Sequence, residues 1–262
     1  MLKVQFPYYQ LFQSLQEQGE NRLSSELLEN WLKENPDEIA WIRKLSNYQL
    51  EDWKTSHSDE LCRIYALGRI NELCLYKLDK LKADQSSLFS SCFQSYLHFF
   101  QNLGLQIREE NPFHPFFHEI VEIAESDSHT QINLREVLYP ALMIGKSVFS
   151  RARVSAFLPQ DSYDLHCLKT STLFWAYRRA NRKTQDLSYG WGSNSQWRTE
   201  MRIDVETEEK YHYNLRGGNI DLNQLQGNHK KSLIDFLRFR HILVPMDEEE
   251  YFIYEYGYEE EK

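Results

Sequence analysis

Over the first hundred residues the apolar positions recur at helical spacing. Leu27, Leu28, Trp31 and Leu32 follow Ser24 and Ser25, whose hydroxyls suit the cap of a helix. Asn35-Pro36 closes that helix, and Asp37 opens another carrying Ile39, Ile42 and Leu45. Asp59 and Glu60, just after Ser58, suit the positive end of a helix dipole. Leu61, Ile64, Tyr65, Leu75 and Leu78 then mark a long helix to about Lys82, and Ser86 to Leu103 forms one more, stopped by Gly104. No fixed internal period accompanies these helices. Residues 1–103 therefore read as an antiparallel helical array with short connections.

The pattern then loses its clarity. Asn111-Pro112-Phe113-His114-Pro115 reads as a rigid turn. The spacing predicts a helix from Pro115 to Glu125, with a polar loop from Ser126 to Thr130. Val137 to Leu158 is apolar around Gly145, and periodicity does not separate helix from strand there. Thr170 to Arg182 returns to helix, with Leu173, Ala176, Tyr177 and Ala180 on one face.

From Gln196 the period becomes two. Trp197, Thr199, Met201, Ile203 and Val205 alternate with Gln196, Arg198, Glu200, Arg202 and Asp204. After a turn at Glu206-Thr207-Glu208-Glu209, Tyr211, Tyr213 and Leu215 alternate with Lys210, His212 and Asn214. This predicts an antiparallel hairpin over about 196–215 with one buried and one solvated face. His229 to Arg240 reads as a last helix, and residues 247–262 as an acidic aromatic tail, with Tyr251 to Tyr256 either a short strand or mobile. The expected fold class is α+β: mainly helical, with a C-terminal hairpin or small antiparallel sheet packed against helices. Residues 104–262 form its mixed region, and the two regions together form one compact unit.

Charge narrows the partner class. The formal net charge of −9 repels nucleic acid and favours a basic protein partner. The 16 Tyr, 15 Phe and 6 Trp supply rings for a core and for an interface alike. MLKVQFPYYQLFQ does not resemble a secretory signal, and no run of about 18 apolar residues points to a membrane span. Cys62, Cys74, Cys92 and Cys167 lie far apart, as reduced core thiols of a cytoplasmic protein would.

Five stretches carry candidate chemistry. Gly190, Gly192 and Ser193 sit in a loop whose amides and hydroxyl suit an anion, with Arg178, Arg179, Arg182 and Arg198 as candidate clamps. No helix follows the loop, so neither phosphate-loop nor dinucleotide fingerprint is present, and a tight entry turn into the hairpin is the simpler account. His114, His118, Glu119 and Glu122 approach a metal-binding helix, but Pro115 at the first helical position breaks the register; no metal is assigned. Asp204 with Glu208, Glu209 and Lys210 is spaced too tightly for a nuclease centre and reads as solvated turn charge. The stretch Arg151 to Lys183 carries seven bases against two acids, and internal pairing explains it better than RNA binding. The tail carries eight acids against Lys262 alone.

These weights favour a cytoplasmic protein–protein interaction module, with no cofactor and no catalytic set. In concrete form it is an acidic inhibitor of the immunity-protein kind that occludes a basic toxin or enzyme. The contact residues are then Glu248, Glu249, Glu250, Tyr251, Tyr254, Tyr256 and Tyr258. The alternative is an enzyme or binding protein for a phosphate or carboxylate substrate. It would use Arg178, Arg179 and Arg198 beside Gly190, Gly192 and Ser193, with His166 or His212 moving protons.

Overall fold

A computed structural model describes residues 7–19, 22–124, 131–159, 202–217, 230, 234–235, 237–239 and 257–262. The helical array is present as α1 (Tyr8–Glu17), α2 (Ser25–Glu34), α3 (Pro36–Leu45), α4 (Leu50–Thr55), α5 (Ser58–Ala83) and α6 (Phe89–Leu103). The expected punctuation acts as read. The Ser24 hydroxyl accepts the Leu27 amide at 3.2 Å. Pro36 sits in the first turn of α3, and α6 ends at Gly104 in a left-handed conformation (φ 105°). The pattern missed α1 and the short α4. Helix α5 is the spine: from Ile64 to Leu75 every residue is buried.

Among the described residues nine strands follow: β1 (Gln106–Arg108), β2 (His118–Ala124), β3 (Asn133–Tyr139), β4 (Ala141–Ile144), β5 (Ser147–Ser150), β6 (Ala152–Phe157), β7 (Val205–Glu206), β8 (Lys210–Tyr213) and β9 (Tyr258–Glu261). Six of them form an antiparallel sheet in the order β1-β4-β5-β7-β8-β9. The other three form a mixed sheet, β2-β6-β3, whose middle strand runs parallel to β2 and antiparallel to β3.

This corrects the helix expected over Pro115 to Glu125. Phe116, Phe117, Ile120, Ile123 and Ala124 mimic helical spacing, yet residues 118–124 are a strand with a register shift between Ile120 and Glu122. The undecided apolar run 137–158 is strand with short connections, taking in the end of β3 and all of β4, β5 and β6. Its periodicity was unreadable because both faces are covered: β4 is buried at every residue, and β6 at all but the last. The hairpin is confirmed where it is described, with Val205 paired to His212 and Glu206 to Tyr211. Residues 202–204 lie outside regular strand, and 196–201 lie outside the described residues, as do the expected helix 170–182 and the expected strand 251–256. The described residues of 229–240 are helical.

Tyr139, Leu142, Ile144, Phe149, Ile203 and Val205 share one apolar cluster with side chains from each of α1 to α6. The opposite face of the six-stranded sheet, through Met143, Val148 and Tyr213, packs on Phe116, Phe117 and Leu237. The turn between β4 and β5 lies directly on the backbone that leaves α3. A Cβ at Gly145 would stand 2.2 Å from the Ser46 carbonyl oxygen. Cys74 and Cys92 are buried free thiols and Cys62 is half-buried; burial pushes the Cys74 thiol up to about 12. Among the described residues no helix is long and apolar enough to cross a membrane.

Candidate functional site

The stretch that begins the basic run turns inward at once. Arg153 lies on the face of β6 turned towards α5, and its Nη2 donates to Glu72 Oε2 at 2.7 Å. Asp79 stands 3.8 Å from Nη1, and Glu119 on β2 is in register beside it. Around this pair Tyr139 donates its hydroxyl to Asp79 (2.8 Å), Tyr96 donates to Asn71 (2.8 Å), and Asn71 donates to the Ser150 hydroxyl (3.1 Å). Burial opposes the charge of Arg153. Glu72, Asp79 and Glu119 together outweigh that and hold the guanidinium protonated more firmly than usual. The arrangement is a polar layer that fixes the three-stranded sheet on the spine helix.

A second centre forms around Asp204. Its Oδ2 accepts from Arg151 at 3.1 Å, and its Oδ1 accepts from Arg202 at 2.8 Å and from the Asn214 amide at 2.7 Å. The same two arginines donate to the carbonyls of Arg238 and Leu237. Asp204 is thus no solvated turn charge. It is 1% exposed and ties the β5–β6 junction, the entry to the hairpin and the C-terminal helical stretch to one point. His212 and Asn214, read as part of a solvated face, are buried as well. The simple two-residue period failed because both faces are covered: Val205 and its partner His212 share the side of the helical cluster, and Tyr211 and Tyr213 face Phe116 and Phe117.

A third charged site lies at the edge formed by β8 and β9. Strand β9 pairs antiparallel with β8, setting Glu261 against Lys210 and Glu259 against His212. Glu259 accepts from Lys210 Nζ at 3.0 Å and stands 3.2 Å from His212 Nδ1; Glu261 lies 3.2 Å from the same lysine. On the other face Glu260 takes the Tyr213 hydroxyl at 2.8 Å and the Arg238 guanidinium at 2.7 Å, and Tyr258 stacks on Tyr213. Lys262 reaches Glu206 at 3.1 Å. The carboxylates of Glu259 and Glu261 remain 56% and 74% exposed. Hydrogen bonding to Lys210 holds Glu259 below the ordinary carboxylate range.

Beside this edge, His114, Phe116 and Phe117 pack on Tyr211, with the His114 and Tyr211 rings 4.5 Å apart. The His118 Nδ1 accepts the backbone amide of His114 at 2.9 Å, so that ring nitrogen is engaged by the chain itself. Among the described residues no group of three or more His, Cys, Asp or Glu is placed to hold a metal ion.

Burial is the leading cause that lowers the basicity of His114, His118 and His212. Each therefore stays neutral in the fold to a lower pH than in the unfolded chain, where it titrates near 6.5. As pH falls below that value the unfolded chain takes up protons first. The stability present at neutral pH is lost towards the folded-state values. The denaturation midpoint should fall between about pH 7 and about pH 5, where histidine linkage dominates. A midpoint that rises or holds level across that range contradicts the assignment.

Of the contact residues assigned from the pattern, Tyr258 alone is described, and it lies in β9 against Tyr213; of the alternative set, His212 is described, buried beside Glu259, and His166 lies outside the described residues. Glu248, Glu249, Glu250, Tyr251, Tyr254 and Tyr256 lie outside the described residues, as do Arg178, Arg179, Arg198, Gly190, Gly192 and Ser193. The buried centres at Arg153 and Asp204 went unassigned. Their signal was present: two arginines two residues apart inside the apolar run SRARVSAF, where only a paired charge is tolerated. The chain matches no family model, no curated protein and no solved structure.

Proposed function

We propose that this chain is a protein–protein interaction module that takes a basic polypeptide at the acidic carboxyl-terminal edge of its six-stranded sheet. In its concrete form it is an inhibitor of the immunity-protein kind, acting by occlusion. The observation that carries this is the contrast between its charges. Arg151, Arg153 and Arg202 each hold a carboxylate inside the fold, whereas Glu259 and Glu261, although paired with Lys210, stay largely exposed on the outermost strand of the described sheet. The net charge of −9 adds a field that steers a cationic partner to the molecule. Tyr258, half-buried at the start of the strand, sets its ring on the opposite face with Glu260, against Tyr213, and so anchors the strand that presents those acids.

The test is capture from native lysate by the wild-type chain and by Glu259→Gln/Glu261→Gln. It is run at about 0.05 M and about 0.5 M salt, over which the screening length shrinks from roughly 14 Å to roughly 4 Å. A basic protein retained by wild type at low salt should be released at high salt, and the variant should hold it about tenfold more weakly, as the loss of two rim pairs implies. Equal capture by both proteins at both salts sinks the proposal. Deletion of the tail is a poor substitute, because it removes a strand of the sheet.

A further inference from the structure

The carboxylates that the proposed interaction needs already have cationic neighbours within the chain. Lys210 stands between Glu259 and Glu261, Arg238 takes Glu260, and Lys262 takes Glu206. Strand β9 meets the body through the polar contacts of Glu259, Glu260 and Glu261 and through Tyr258, which stacks on Tyr213 and packs on the apolar cluster that holds Phe116, Phe117 and Leu237. Elsewhere the elements are joined differently. The helices and the middle of the sheet meet through one large apolar cluster that salt does not weaken. Strand β9 is four residues long; its Lys210 pairs with Glu259 and Glu261 are largely exposed, where such pairs are individually weak and screened, and its Arg238–Glu260 pair is half-buried.

We infer that β9 is a detachable acidic strap, docked on Lys210 and Arg238 as internal substitutes for a partner's basic side chains, and that docking and partner binding compete. This rests on the interaction reading given above for its second half; the first half, that the strap opens apart from the body, stands without it. Opening releases three carboxylates together and also uncovers the edge of β8. A partner rich in Lys or Arg then gains the contacts that Lys210 and Arg238 give up. Autoinhibition of this kind sets a threshold: only a partner with several closely spaced cations outcompetes the internal pairs. A single exposed lysine does not.

The experiment uses the full chain and the variant Lys210→Gln/Arg238→Gln, with an oligolysine peptide as probe. Hydrogen exchange is followed in β9 and in α5 at about 0.05 M and about 1 M salt, conditions that bracket strong and negligible screening. The expected result is exchange in residues 258–261 that quickens about tenfold, with high salt or with the substitutions, while α5 is unchanged. At low salt the variant should bind oligolysine severalfold more tightly than wild type. If β9 exchanges only in step with α5 under every condition, the strap does not open by itself and the inference fails, whatever the peptide does. If β9 opens independently but the variant binds the peptide no better than wild type, the competition fails. If neither protein binds the peptide although β9 opens, the interaction reading falls with it. A single charge-restoring variant, Lys210→Arg/Arg238→Lys, should return both readouts to near wild type; a merely damaged fold would not recover.

Discussion

Replacing Arg153 with alanine should lower the unfolding free energy by about 3–5 kcal/mol, as removal of one partner from a buried ion pair does. The side chain is 2% exposed, and it is bonded to Glu72, with Asp79 and Glu119 beside it. Its loss leaves carboxylates in a setting built around a cation, and a cavity where the guanidinium lay. Against a total margin of about 5–15 kcal/mol, that is a large share. Chemical denaturation measures it directly. A second background sharpens the assignment: with Glu72→Gln already in place, one stranded charge is gone. The alanine substitution should then cost less by about 1–3 kcal/mol, the range of coupling between contacting partners. Additive costs would mean that Arg153 and Glu72 do not act as a pair.

Gly145→Ala should be of comparable size for a different reason. The residue has φ +57°, and the added methyl would meet the Ser46 carbonyl at 2.2 Å and its carbon at 2.8 Å, both backbone atoms. Backbone strain and overpacking together put the cost at about 3 kcal/mol or more. Gly19 supplies the control. It has φ +81°, with nothing within 4 Å of where a Cβ would lie, so Gly19→Ala isolates the conformational cost, about 1 kcal/mol. Similar losses at the two sites, read from thermal or chemical unfolding, would remove the steric argument and with it the tight seating of the β4–β5 turn on α3.

The helical third of the chain was most legible where a helix has a wet side, as α2 does. Leu28, Trp31 and Leu32 are buried while Glu26, Glu29 and Lys33 are exposed, so the stripe shows in the sequence. Residues 104–159 were not legible, since Val148 and Phe149 are both covered, one by each neighbouring layer. A strand buried on both faces has no alternation to read. The α+β class survived that ambiguity because the hairpin near residue 205 still carried a two-residue period. The site was less visible still. An ion pair such as Arg153 with Glu72 joins positions 81 residues apart, and neither spacing nor composition states which acid meets which base. The acids of the tail were conspicuous as a group, but their engagement by Lys210, His212 and Arg238 emerges only from the strand register.

The order of the three-stranded sheet bears on how the chain reaches its native state. β6 lies between β2 and β3 although it is translated after both. Until it arrives, its two neighbours have no native ladder to join, and they must remain apart with Ile120, Ile123 and Leu134 unsheltered. Their assembly waits for a contact that is distant along the chain, which slows folding and prolongs exposure to off-pathway association. During synthesis a nascent polypeptide halted just short of residue 152 should therefore be the species most in need of a chaperone.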